Sequence, residues 1–242
     1  GYRAILDVDA RHADALHLLG VIACQSGKAA DAVELINRAI AIRPAVPEFH
    51  NNLGNALREL GRTQDSRNAY QTALQLNPQF PEALHNLGIS LKEAGQLDAA
   101  EERYREALAL RPDYADARVN LGNVLQAQGR FDDAIDCYRQ ALAQKPTSAE
   151  ACMNLGNALQ RTGRLQEAEA STREALRLRP GYTDAHVNLG QALLSQGRLE
   201  DALSCYREAL RLRPGYVEAH WNYSLALLLA GDFANGWREY EW

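Results

Sequence analysis

The chain has 242 residues, 46% of them hydrophobic and 24% charged, an ordinary balance for a folded soluble protein. A formal net charge of −5 gives no sign of an electrostatic grip on nucleic acid. No apolar run approaches the ~20 residues that a membrane-spanning helix needs.

Four cysteines, Cys24, Cys137, Cys152 and Cys205, are scattered without a C-x-x-C pair. Neither a disulfide framework nor a zinc site is expected, and a reduced, cytoplasm-like setting fits best. The chain opens Gly1-Tyr2-Arg3, without the basic-apolar-small pattern of a signal peptide. The natural protein is expected to continue beyond both ends.

Residues 1–12 read as the end of a repeat, because Tyr2, Leu6 and Val8 match the later Tyr70, Leu74 and Leu76. From there one period governs the chain. Gly20, Gly54, Gly88, Gly122, Gly156 and Gly190 step by 34 residues. Pro44, Pro78, Pro112, Pro146, Pro180 and Pro214 keep the same step, as does a second glycine series from Gly27 to Gly231. Counting each unit from seven residues before its first glycine gives 13–46, 47–80, 81–114, 115–148, 149–182 and 183–216, with a partial seventh at 217–242. Periods of this size mark repeat architectures.

Each unit predicts two helices. In 115–148, Asp116 favours the positive end of the first helix dipole. Ala117, Leu121, Val124, Leu125 and Gln128 share one stripe at helical spacing. Gly129 supplies a left-handed stop, Asp132 is expected to cap the second helix, and Ala134, Tyr138, Ala141 and Leu142 form its apolar stripe. Pro146 ends it. Gly122 and Ala134 mark close approach of the two helices, and Ala141 close approach to the next hairpin. One hairpin cannot bury both stripes, so stacking on neighbours must stabilise it.

These residues resemble the tetratricopeptide repeat family: Leu121-Gly122, then Ala134, Tyr138, Ala141 and Pro146 in a 34-residue unit. The resemblance covers about residues 13–242. Departures are few: Ser66 for the contact alanine, Ile36 and Thr172 for the aromatic, Ser224 for glycine and Gly236 for alanine. The resemblance implies an all-α fold, a right-handed superhelical solenoid of antiparallel hairpins. Its first helices would line a concave groove that holds a protein or peptide partner.

The face of each first helix opposite the core stripe carries the second, sixth, ninth and thirteenth positions. The sixth is Asn52, Asn86, Asn120, Asn154, Asn188 and Asn222, with Leu18 in the first unit. One turn on stand Asn55, Asn123, Asn157 and Gln191. Asparagine is a mediocre helix former, so propensity does not explain the row. An amide both donates and accepts, so one per repeat can bind the backbone of an extended peptide whatever its side chains. Two readings are open: a peptide-binding ladder, or a structural set bonding neighbouring first helices. The acidic second position, from Asp14 to Glu218, reads as a helix-dipole device.

In family members that bind chaperone C-termini, lysine at the fifth position and basic residues at the second and sixth clamp a carboxylate. Here the fifth positions are His17, Asn51, His85, Val119, Met153, Val187 and Trp221, and the second is always acidic. That clamp is absent. The six histidines show no His-x-x-x-His spacing, so no metal site or cofactor is expected. Arg173, Arg177, Arg207 and Arg211 read as a solvated face. No phosphate loop, nucleophile elbow or paired-carboxylate arrangement points to catalysis. The expected role is a non-catalytic scaffold for an extended partner segment. The asparagine row also resembles the substrate-recognition region of O-GlcNAc transferases. The ending from Gly231 to Trp242 resembles the last repeat of bacterial proteins in which a glycosyltransferase-like domain follows. A targeting arm of a larger glycosyltransferase is therefore the second reading, and a structural or self-associating spacer the third. Trp237 and Trp242 near the final helix suggest end-to-end pairing.

Overall fold

A computed structural model describes residues 1–242, apart from the side chain of Arg3. The described residues form helices and no strands. A short helix α1 (Tyr2–Val8) precedes the hairpins α2 (Ala13–Gln25) with α3 (Ala29–Ile42), α4 (Pro47–Glu59) with α5 (Thr63–Leu76), and α6 (Pro81–Glu93) with α7 (Leu97–Leu110). Then come α8 (Ala115–Ala127) and α9 (Phe131–Gln144), α10 (Ala149–Arg161) and α11 (Leu165–Leu178), α12 (Thr183–Ser195) and α13 (Leu199–Leu212), and α14 (Val217–Leu229) and α15 (Phe233–Tyr240). The chain divides into two compact units, Gly1–Asn120 and Leu121–Trp242.

Within the first unit, α2 and α3, α4 and α5, and α6 and α7 pack as pairs, and α3 and α5 each pack on the first helix of the next pair. The second unit repeats this with α10 and α11, α12 and α13, and α14 and α15. The turn inside each hairpin is the same device each time. Gly129 sits at φ 79°; its N–H bonds the Gln126 carbonyl at 3.0 Å and the Arg130 N–H bonds the Leu125 carbonyl at 2.9 Å. These two bonds satisfy carbonyls that the helix end would leave unpaired. At the other ends, Pro47 and Pro81 open α4 and α6, where a missing N–H costs nothing. The Ser148 hydroxyl accepts the Ala151 N–H at the start of α10.

One expected cap is corrected. Asp132 does not cap α9: the helix begins at Phe131, Arg130 holds the cap position, and no side chain accepts a hydrogen bond there. Asp132 lies in the first turn, where its charge still meets the positive end of the dipole. Asp133 instead receives the Arg130 guanidinium at 2.7 Å.

The core of four hairpins is a large ring laid against a glycine. Tyr70, Tyr104, Tyr138 and Tyr206 are all essentially enclosed. A Cβ built on Gly54 would stand 2.4 Å from the Tyr70 ring, and one on Gly190 would stand 2.5 Å from the Tyr206 ring. The variant hairpins keep the fit: a Cβ on Gly20 would meet Ile36 at 2.6 Å and one on Gly156 would meet Thr172 at 2.3 Å. In the last hairpin the two sizes are traded. Ser224 is buried where the others have glycine, and a Cβ on Gly236 would stand 2.7 Å from Leu228. Among the described residues, no helix is long and apolar enough to cross a membrane.

Gly122→Ala should therefore destabilise the chain by about 1–3 kcal/mol, since its Cβ would stand 2.6 Å from the Tyr138 ring. Gly181 has nothing within 4 Å of such a Cβ, and Gly181→Ala should stay within about 0.5 kcal/mol. Urea denaturation of the two variants checks the contrast.

Candidate functional site

Asn52, Asn86, Asn120, Asn154, Asn188 and Asn222 are all half-buried, as are Asn55, Asn123, Asn157 and Gln191. The first five share a habit: the side-chain N–H reaches the first helix before it. In the first unit the acceptor is the fifth position of the preceding repeat. Asn52 Nδ2 lies 2.8 Å from His17 Nε2, Asn86 Nδ2 donates to Asn51 Oδ1 at 2.9 Å, and Asn120 Nδ2 lies 3.0 Å from His85 Nε2. In the second unit Asn188 Nδ2 meets the Met153 sulfur at 3.2 Å.

Valine breaks the pattern, because Val119 and Val187 offer no acceptor. The ninth position then takes over. Asn154 Nδ2 donates to Asn123 Oδ1 at 2.8 Å, and Asn222 Oδ1 accepts from Gln191 Nε2 at 3.1 Å. Asn222 spends its own N–H on the Glu218 carbonyl at 2.7 Å. Each sixth-position amide is thus held by an inter-helix bond and keeps another N–H. No described residue donates to Oδ1 of Asn154 or Asn188.

The ninth position has a second tie that the sequence did not reveal. Tyr70 OH donates to Asn55 Oδ1 and Tyr138 OH to Asn123 Oδ1, each at 2.8 Å. Asn157 faces Thr172 rather than tyrosine in its hairpin, and its Oδ1 accepts from Gln126 Nε2 at 3.1 Å. The carbonyl ends of these amides are spent inside the protein; the NH2 ends of Asn123 and Asn157 remain for solvent, and that of Asn55 also reaches Asn52 Oδ1 at 3.5 Å. Tyr104 and Tyr206 find no partner for their hydroxyls: the ninth position is Ile89 in one repeat, and Gln191 turns to Asn222 in the other.

A family description, the C-terminal domain of cilia and flagella-associated protein 70, a tetratricopeptide-repeat domain, matches residues 8–222. The chain belongs to this tetratricopeptide-repeat family. No curated protein matches it. Among solved structures, the tetratricopeptide chain is similar to a thermophilic repeat protein of Thermus thermophilus, at 27% identity, TM-score 0.60, over 76% of this chain and 100% of that one. It is similar to pilF of Pseudomonas aeruginosa at 20% identity, TM-score 0.78, over 86% and 94%. It is also similar to YrrB, described as a TPR protein with an unusual peptide-binding site, at 22% identity, TM-score 0.65, over 77% and 96%.

The other polar groups of the tetratricopeptide chain have local work. Asp14 pairs with Arg43 at 2.8 Å and Glu82 with Arg111, so in these two repeats the acidic second position ties the first helix to the end of its own repeat. His50 and His186 reach the carbonyls of Pro44 and Pro180. His220 reaches the Pro214 carbonyl at 2.7 Å and Glu239 at 2.6 Å, under the ring of Trp242 at 4.2 Å. Trp237 and Trp242 remain more than half exposed. Arg177 and Arg211 pair with Glu174 and Glu208, and Arg173 with Glu169. No group of three metal-ligating side chains occurs among the described residues.

His85 is the most perturbed of these groups. Burial pushes its pKa down to about 4, with Asp116 opposing and Arg58 adding to the shift. Asn120 donates to Nε2, so Nδ1 carries the hydrogen and faces Tyr114 OH at 3.2 Å. Protonation would set two donors against each other at Asn120.

This wiring is open to measurement at two places. The Tyr138→Phe change removes a bonded hydroxyl and should cost about 0.5–1.5 kcal/mol, whereas Tyr104→Phe should be close to neutral; denaturation midpoints decide. For His85 the folded pKa lies below the unfolded value, so its contribution is complete above about pH 6.5 and lost as pH falls toward 4. The loss is on the order of 3 kcal/mol. His85→Asn, which copies Asn51, should reduce the difference in stability measured between pH 7 and pH 4.5.

Proposed function

We propose that this chain is a protein-binding scaffold that holds an extended peptide segment along its first helices. Asn52, Asn86 and Asn120 in the first unit, and Asn154, Asn188 and Asn222 in the second, bind the N–H and C=O groups of the peptide backbone. Asn55, Asn123, Asn157 and Gln191 add donors one turn on. The observation that carries this reading is the state of the sixth-position amides. Each is fixed by an inter-helix bond yet only half-buried. A fixed polar group loses little freedom on binding, which is where affinity is otherwise spent. The structural bond and the binding role therefore coexist in one side chain: one edge of the amide sets its angle, and the other meets the partner. The peptide-binding site of YrrB, a protein of similar fold, agrees with this reading.

Each backbone bond contributes about 0.5–1.5 kcal/mol, so several must act in register. An array of blocked, unstructured decapeptides probed with the full chain tests this. The double variant Asn154→Ala, Asn188→Ala should lose about tenfold in binding, equivalent to about 1.4 kcal/mol, with its fold intact by circular dichroism. Unchanged binding alongside a lowered denaturation midpoint would overturn the reading, as would a chain that binds no peptide on the array.

A further inference from the structure

At the end of α8, within the second unit, lies a recess of about 400 Å³ lined by Asn123, Gln126, Ala127, Gly129, Phe131 and Arg161. Its polarity is one-sided. Asn123 Oδ1 already accepts from Tyr138 OH and Asn154 Nδ2, both at 2.8 Å. Both hydrogens on Asn123 Nδ2 are left over. The Gln126 carbonyl faces the same tyrosine hydroxyl at 3.4 Å, and its Nε2 donates to Asn157. With Asn157 Oδ1 spent on that bond, the Asn157 NH2 is also a spare donor beside the recess.

Arg161 completes the set. Its guanidinium lies 4.9 Å over the ring of Phe131. That contact holds the charged head against the ring. The neighbouring arginines at hairpin turns are neutralised: Arg164 by Glu167 at 2.8 Å, and Arg198 by Asp201 at 2.6 Å. No carboxylate of the described residues lies within ion-pair distance of Arg161, and none lines the recess. A cation and spare amide donors, with no carboxylate lining the recess, stand on a chain whose net charge is −5.

We infer that this recess is a carboxylate subsite of the peptide row, in which Arg161 pairs with a carboxylate of the bound segment while Asn123 donates to it. The inference rests on the peptide-binding reading above and adds to it the chemistry of one partner side chain or chain end. Charge-assisted bonds of this kind are shorter and stronger than the neutral amide bonds beside them, so this subsite sets the register of a segment that the asparagines hold without regard to sequence.

The test uses the isotope-labelled full chain and three alanine pentapeptides. One has a central glutamate and both ends blocked. One has glutamine in its place. The third has no acidic side chain and a free C-terminal carboxylate. The glutamate peptide should shift the Arg161 Nε–H resonance together with the Asn123 side-chain signal, and the glutamine peptide, held only by the amide row, should leave Arg161 still. A shift with the third peptide assigns the subsite to a chain end as well; its absence assigns it to an acidic side chain. Arg161→Gln should weaken the glutamate peptide about fivefold or more. Equal shifts of Arg161 from glutamate and glutamine peptides would overturn the carboxylate subsite. So would peptides that move the Asn188 side-chain signal and leave Arg161 still, an outcome that keeps the peptide row. Silence at every one of these asparagines would remove both.

Discussion

The distance between the two helices of a hairpin is set by a ring pressed onto bare backbone. Tyr70 against Gly54, and Tyr138 against Gly122, leave no room for even one methyl group. Close packing of this kind tolerates little change in volume. It fixes the rotation of each first helix about its axis, because the glycine must face the ring. With the rotation fixed, the sixth and ninth positions can point only to the other side. The amide row is therefore a product of the core, set by packing two residues away from it.

The same tyrosine reaches across to that row. Its ring fills the glycine notch, and in the hairpins of Asn55 and Asn123 its hydroxyl takes the carbonyl of the ninth-position amide. Core and surface are joined by a single side chain. The orientation of an otherwise symmetric group is thereby chosen: carbonyl inward, NH2 outward. In these two hairpins one bond satisfies a buried hydroxyl and orients the amide. Burial also pushes the pKa of Tyr138 upward, so the phenol stays protonated and keeps donating.

Much of the fold was legible in the sequence. The step between Gly20 and Gly54, and the prolines that keep the same step, located the helices from spacing alone. Glycines with positive φ were readable at positions such as Gly163, at 76°, because few other residues adopt that conformation. The helix start at Phe131 was less legible. Asp132 has the chemistry of a cap, but the turn closes one residue earlier, through Gly129 and Arg130. The site was legible only as a set of residues. A period names the positions that share a face. It does not give the rotation between neighbouring helices, which decides that Asn86 meets Asn51 or that Asn154 meets Asn123. A trace of that pairing did exist: the fifth position is His17, Asn51, His85 or Met153 wherever it serves as acceptor, and valine at Val119 and Val187, where the ninth position replaces it.

That alternation makes the repeats unequal despite their shared length. Each sixth-position amide is answered from the repeat upstream, by a histidine ring, an amide, a thioether or a ninth-position side chain. A unit cut out and spliced elsewhere would carry its amide with it and leave the matching partner behind. Moving 81–114 to follow 183–216, for instance, would take Asn86 from the Asn51 carbonyl and set it beside Gln191, where it would accept through Oδ1 as Asn222 does instead of donating. The hairpins would still stack, since Gly88 meets Tyr104 and Gly190 meets Tyr206 inside them. The amide would turn over at the seam, and the order of the units is in that sense part of the information the chain encodes.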